Sequence, residues 1–209
     1  MIKKDQEKPK YYSSHRTRQS SKRKSRFIQK QSEIKNITDD GKRNILEIGF
    51  GTGSSVLDLY RRTKERYFCI ESYEIGVENI NKFIKENGIK DIYVFLGDAI
   101  EIVENNFPDK SLDEILIFFP DPWPKNKHRK RRILNNFSLN MFFGKLKMNG
   151  LIHFATDHIN YAYTVKSLIS KYTNKNQQFS KNRRYRPITN YERRGIKRKN
   201  FMFDIILQK

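Results

Sequence analysis

From Asn44 onward, short apolar runs alternate with amphipathic stretches, and this alternation limits the folds open to the chain more than any other feature. Residues 44–50 read as a strand, followed by a glycine turn and a helix from about Ser54. Residues 67–70 form a second strand. Residues 75–87 set Ile80, Phe83 and Ile84 at helical spacing before Gly88 stops the run. A third strand spans residues 92–96. The fourth, residues 112–119, is largely apolar on both faces, as a central strand covered on both sides must be. A helix is expected over residues 132–147, then a strand at 151–155, a helix at 158–171 and a terminal strand at 201–207. Such alternation specifies an α/β domain with a mostly parallel sheet and helices on both faces. Sheets of this kind bind ligands beyond the carboxyl ends of their strands. No internal repeat is visible.

At the end of the first strand stands Glu47-Ile48-Gly49-Phe50-Gly51-Thr52-Gly53. Glycines let the backbone turn sharply and approach a ligand closely, and the following helix would present free N–H groups. The Gly-x-Gly-x-Gly spacing differs from the Gly-x-Gly-x-x-Gly of dinucleotide binders. With Glu47 two residues ahead of Gly49, the pattern resembles motif I of S-adenosylmethionine-dependent methyltransferases. Glu71, twenty residues after Gly51, ends the second strand, where a carboxylate can accept hydrogen bonds from both ribose hydroxyls. Asp98 ends the third; in the methyltransferase fold a residue there commonly reaches the adenine edge. Either acid alone has a simpler use, as the cap of the helix that follows.

Beyond the fourth strand lies Phe118-Phe119-Pro120-Asp121-Pro122-Trp123-Pro124-Lys125-Asn126-Lys127-His128-Arg129-Lys130-Arg131-Arg132. Two prolines flank Asp121 and fix its backbone. Trp123 offers a surface on which a base can stack. Six of the eight residues from Lys125 to Arg132 are Lys or Arg. The whole chain carries a formal charge of +20, which points to a polyanionic partner, with nucleic acid ahead of an acidic membrane surface. A bias toward Lys, Asn and Ile accounts for part of that charge, but not for the arginine clusters. Residues 1–30 hold eleven Lys or Arg against two acids, too polar to bury a core. Residues 1–40 therefore read as a basic arm that orders on RNA or serves only as a solubilising tail.

The proline-tryptophan stretch closely resembles the FPDPWPK-x-x-H-x-KRR signature of the bacterial tRNA (guanine-N7)-methyltransferases. Ala155-Thr156-Asp157 matches that family's ATD, and Thr189-Asn190-Tyr191-Glu192-Arg193-Arg194-Gly195 its TKFE-x-RG segment. The resemblance runs from about Asn44 to the C-terminus with the motifs in order. It implies a Rossmann-like class I fold with a seven-stranded sheet over residues 41–209, and methyl transfer to N7 of guanosine 46 in the tRNA variable loop. S-adenosylmethionine is then the methyl donor, S-adenosylhomocysteine the product, and no metal takes part. Glu47, Gly49, Gly51, Gly53, Glu71, Asp98 and Asp121 would hold the donor, with Asp121 also catalytic. Lys125, Asp157, Thr189, Asn190, Tyr191 and Glu192 would contact tRNA, and the basic run Lys127, Arg129, Lys130, Arg131 and Arg132 would grip its phosphates. Two positions depart from the family pattern. Asn190 replaces a lysine, which leaves a phosphate contact there in doubt, and Tyr191 replaces a phenylalanine, which keeps the ring.

Competing readings are a methyltransferase of the same fold acting on another RNA such as rRNA, a non-catalytic RNA-binding protein, and an NAD-dependent oxidoreductase, which the glycine spacing disfavours. A single cysteine, Cys69, excludes an intrachain disulfide and a thiolate zinc cluster. No apolar run approaches the roughly 20 residues of a membrane span, and no secretory signal opens the chain, so a cytoplasmic enzyme with no membrane attachment is expected. No obligatory protein partner is indicated.

Overall fold

The computed structural model describes residues 40–172 and 179–209. The basic arm expected over residues 1–40 lies almost wholly outside them. In chain order the elements are β1 (Asn44–Ile48), α1 (Ser54–Thr63), β2 (Arg66–Glu71), α2 (Glu74–Glu86), β3 (Ile92–Leu96), α3 (Ala99–Asn106), β4 (Leu112–Phe118), a 3₁₀ turn (Asn126–Arg131), α4 (Asn136–Lys145), β5 (Leu146–Thr156), α5 (Ile159–Ile169), α6 (Asn190–Lys197) and β6 (Phe203–Gln208). The strands form one sheet in the order β3-β2-β1-β4-β5-β6. Neighbours pair in parallel except β6, which runs antiparallel to β5.

Sheet alternation divides the core in two. Leu46, Ile48, Phe68, Ile70, Ile115 and Ile117 face one side and pack with residues of α3, α4 and α5. Ile45, Tyr67, Cys69, Val94 and Leu116 face the other, under Val56 and Leu59 of α1 and Val77 and Ile80 of α2. Each fully buried aliphatic or aromatic side chain of this kind contributes about 1.5–3 kcal/mol of hydrophobic stabilisation.

Strand order reverses between β1 and β4, whose ends meet at the Ile48–Ile117 register. That reversal opens a crevice beyond their carboxyl ends. The glycine turn leaves β1 there, and the proline-tryptophan loop leaves β4 beside it.

The sheet has six strands among the described residues, where seven were expected. Outside β6, in the place of a seventh, stands one isolated antiparallel bridge, Ser180–Asp204. The following residues, Lys181-Asn182-Arg183-Arg184-Tyr185-Arg186-Pro187, have no alternating apolar face and end in a residue with no N–H to give a ladder. The helix expected over 132–147 is shorter. Asn135 and Ser138 form a reciprocal capping box that starts α4 at Asn136, and β5 takes over at Leu146.

Candidate active site

The glycine turn is closed by Gly49 N–H donating to the Ile70 carbonyl (2.8 Å) and Gly53 N–H to that of Phe50 (3.0 Å). Gly53 has φ +87°, and a Cβ there would run into the Ile80 side chain. From the first turn of α2, Gly76 comes so close that a Cβ would collide with the Gly51 carbonyl oxygen. The turn is thus held close against α2 by the absence of side chains at Gly53 and Gly76. Glu71 holds it from the end of β2. Its Oε2 accepts from Gly51 N–H (2.7 Å), and its Oε1 from Ser72 N–H (2.6 Å) and Tyr73 N–H (3.0 Å).

Glu47 sits on the wall of this crevice, only 1% exposed. Ser55 Oγ donates to its Oε1 (2.5 Å), while Oε2 is buried with no hydrogen-bond partner. Burial pushes its pKa up to about 7; the Ser55 hydrogen bond opposes the rise and the nearby Glu71 charge adds to it. A buried carboxylate oxygen without a donor is costly unless something comes to meet it. The cleft that it faces, about 100 Å³ and open to solvent, is lined on one side by Glu47, Gly49, Phe50 and Phe118. On the other side stand Thr189, Asn190, Tyr191 and Arg194, from the first turns of α6. Tyr191 is 55% exposed, and its ring edge is what a Cβ on Gly51 would meet, at 3.8 Å.

Beside the cleft, the loop after β4 holds a strained backbone. Phe119 (φ +51°) and Trp123 (φ +41°) both occupy the left-handed region, which bulky residues avoid. Asp121 is exposed between them. Trp123 is engaged within the loop: the Arg131 guanidinium lies over its ring at 4.9 Å, and His128 meets it edge-on at 5.8 Å. Burial, and then the Arg131, Lys127 and Lys125 charges, hold the His128 pKa below its usual value.

Several expected site residues take other places. Arg132 does not point at solvent phosphates. It is 2% exposed, and its Nε donates to the Pro122 carbonyl (2.8 Å) while its two terminal nitrogens reach Thr164 Oγ1 and Asn160 Oδ1 (3.2 Å each). Its guanidinium also lies over Tyr161 at 4.6 Å. Glu192 is likewise not offered to RNA. It is 2% exposed and accepts from Arg186 and Arg183. Asp98 is the cap of α3, its Oδ1 accepting from Ile100 and Glu101 N–H. Lys125, Lys127, Arg129 and Lys130 are exposed, as backbone-gripping residues must be. Asp157, at the end of β5, accepts from Asn200 Nδ2 (2.9 Å), and its carboxylate lies against Gly195 of α6.

What positions α6 went unrecognised in the sequence. Arg186 is fully buried, bonded to Asp204 through Nε and Nη2 (2.8 and 2.9 Å) and to Glu192 through Nη1 (2.7 Å). His153 Nε2 shares Asp204 at 2.7 Å. The Arg186 guanidinium lies over Phe119 (5.1 Å), the root of the proline-tryptophan loop. One buried arginine therefore ties α6, β6 and that root together. Thr189 caps α6 by accepting from Glu192 N–H (3.1 Å).

A mostly parallel sheet with a reversal crevice, a Gly-x-Gly-x-Gly turn and a carboxylate at the end of β2 is the architecture of class I methyltransferases. Comparison with solved structures agrees on the fold. A SAM-dependent methyltransferase from Archaeoglobus fulgidus superposes with a TM-score of 0.54 at 16% identity, over 81% of this chain and 87% of that one. A precorrin-6y C5,15-methyltransferase from Geobacter metallireducens gives 0.55 at 13% identity, over 86% and 85%. The family described as "Putative methyltransferase" matches residues 42–205, so the chain is a methyltransferase. Among curated proteins, the tRNA (guanine-N(7)-)-methyltransferase of Francisella tularensis subsp. novicida is 39% identical over 169 residues, 79% of this chain and 74% of its own length. The proteins of that name from Neisseria meningitidis serogroup A and Nitrosococcus oceani are 39% identical over 79% and 77% of this chain, and over 71% and 69% of their own lengths. The chain belongs to the tRNA (guanine-N7-)-methyltransferase family. Among the described residues, no helix is long and apolar enough to cross a membrane.

Proposed function

We propose that this enzyme transfers the methyl group of S-adenosylmethionine to N7 of guanosine 46 in the variable loop of tRNA, leaving S-adenosylhomocysteine. The observation that carries the reading is the meeting of two motifs: the glycine turn and the Phe119–Pro124 loop leave adjacent strands at the crevice where strand order reverses. The donor fits the residues present. Glu47 Oε2, buried and lacking a donor, suits the ammonium of the methionine end. Glu71 Oε2 holds one N–H, and a carboxylate oxygen has room for a second donor such as a ribose hydroxyl. Asp98 serves the adenine end only as far as its cap role permits. The donor supplies an electrophilic sulfonium methyl.

Guanine N7 carries an in-plane lone pair and no proton at neutral pH, so no general base is required of the protein. The chain's task is to hold N7 in line with the methyl group, and most of the acceleration comes from that positioning. Asp121, fixed between Pro120 and Pro122, stabilises the positive charge that builds on the purine, or accepts from guanine N1–H and N2–H and so selects guanine over adenine. Lys125, Lys127, Arg129 and Lys130 grip phosphates and set the register without reading bases, with Arg131 beside them. Thr189, Asn190 and Tyr191 close the cleft from the α6 side, and Asp157 holds the C-terminal half of that helix. Residues 41–209 form the catalytic domain in this reading, and the enzyme works in the cytoplasm on tRNA.

The test is a titration of the protein with S-adenosylmethionine by calorimetry, followed by transfer of labelled methyl to tRNA lacking N7-methylguanosine. Saturable binding and label recovered as N7-methylguanosine are expected. Binding without transfer to any tRNA would favour the non-catalytic or other-RNA readings.

A further inference from the structure

Arg132 is a buried cation whose described hydrogen-bond partners are all neutral: the Pro122 carbonyl, Thr164 and Asn160. Burial lowers its pKa. Such an environment is expensive for a guanidinium, and only good geometry with satisfied donors makes it tolerable. The fork, however, matches its surroundings closely: three donors are bonded, and the flat face lies over Tyr161. Its Tyr161 platform is itself fixed, the hydroxyl accepting from Leu134 N–H at 3.1 Å.

The position of this fork in the loop gives it a purpose. Phe119 and Trp123, both at positive φ, bracket Pro120-Asp121-Pro122. Backbone strain of this sort is costly and persists only where the surroundings fix it. Pro120 and Pro122 have no N–H with which to hold the loop. The Pro122 carbonyl, one peptide beyond Asp121, is held by Arg132, and Arg132 is held by α5.

We propose that Arg132 is a positioning residue: it pins the strained Asp121 loop to α5 and thereby sets where the Asp121 carboxylate stands, and it contacts no phosphate. The inference rests on the function proposed above. A lysine at this position keeps the charge but cannot reach the Pro122 carbonyl, Thr164 and Asn160 together.

Arg132→Lys is the first variant, and the double variant Asn160→Ala, Thr164→Val, which loosens the fork from the α5 side, is the second. Three quantities are measured for each: kcat and KM on tRNA, the salt slope of tRNA affinity, and acrylamide quenching of Trp123. That residue is the chain's one tryptophan, so its emission reports the loop alone. For Arg132→Lys the expected result is a kcat lower by about ten- to a hundredfold, as small misplacements produce. KM and salt slope stay at wild-type values, and Trp123 becomes more quenchable. The double variant shows the same pattern more weakly. Unchanged kcat or unchanged quenching overturns the proposal, as does a salt slope reduced by about one, the signature of a lost phosphate contact. If Arg132→Lys does not fold, normal kcat and quenching in the double variant overturn it. A wild-type protein that methylates no tRNA would instead refute the function, while the quenching comparison still tests the anchor.

Discussion

Replacing Glu47 with glutamine should make the ligand-free protein more stable at pH 8 and leave it nearly unchanged at pH 5. The carboxyl titrates near 4.5 in a solvated chain and is pushed up to about 7 in the fold, chiefly by burial. Between those values the folded state holds a proton that the unfolded state has released. Folded protein then binds more protons than unfolded, so stability falls as pH rises through this window. The interval from 4.5 to about 7, at roughly 1.4 kcal/mol per unit, is a loss of about 3 kcal/mol. Glutamine keeps the acceptor for Ser55 and never ionises, so Glu47→Gln lacks this loss. Urea unfolding of both proteins at pH 5, 6, 7 and 8 measures it, since titrating groups that do not feel the Glu47 charge are common to the two and cancel. The difference should grow with pH and level off above pH 7 to 8. A difference independent of pH would refute the argument. The same variant should bind S-adenosylmethionine more weakly, because the oxygen that destabilises the ligand-free fold is the one proposed to meet the ligand's ammonium.

Asp121→Asn should bind S-adenosylmethionine normally by calorimetry yet lose most turnover; normal turnover would remove Asp121 from the mechanism. If roughly six phosphates are neutralised by the exposed run Lys125–Lys130 and by the α6 arginines, tRNA affinity should fall about a thousandfold between ~50 and ~200 mM salt in a filter-binding titration. A flat response would mean that the +20 charge is no footprint of RNA. Arg186→Met removes the cation shared by two buried carboxylates, leaving Glu192 with Arg183 and Asp204 with His153, and should cost about 3–5 kcal/mol in urea unfolding, against under 1 kcal/mol for an exposed cation such as Lys130→Met.

The sheet, the glycine turn and the strand-end positions of Glu71 and Asp98 were legible because they depend on local pattern. The apolar runs at β1 to β5 have the right period, and Gly49, Gly51 and Gly53 mark a turn that only glycine makes. Sequence spacing could not distinguish an arginine that faces solvent from one that folds back. Arg131 and Arg132 are adjacent and identical in kind, yet Arg131 lies over Trp123 while Arg132 reaches the Pro122 carbonyl and two polar side chains of α5. Glu192 sits in a motif that suggests RNA contact, but its partners, Arg183 and Arg186, lie across a loop from it. Gly76 carried a signal that was missed, a glycine inside a helix where the Gly51 carbonyl passes too close for a side chain. Helix α3 left a signal too, in Asp98 as a cap ahead of Ile100 and Val103 at helical spacing. The seventh strand was an inference from family likeness, and the polar residues 181–187 do not supply it.

The central claim is a reaction at one atom of one nucleotide. The protein should be incubated with S-adenosylmethionine and two unmodified tRNA transcripts, one natural and one with the variable-loop guanosine changed to adenosine, and each RNA digested for mass spectrometry. The account predicts N7-methylguanosine in the first and none in the second. N7-methylguanosine in both, or in neither from a protein that binds S-adenosylmethionine, would contradict it.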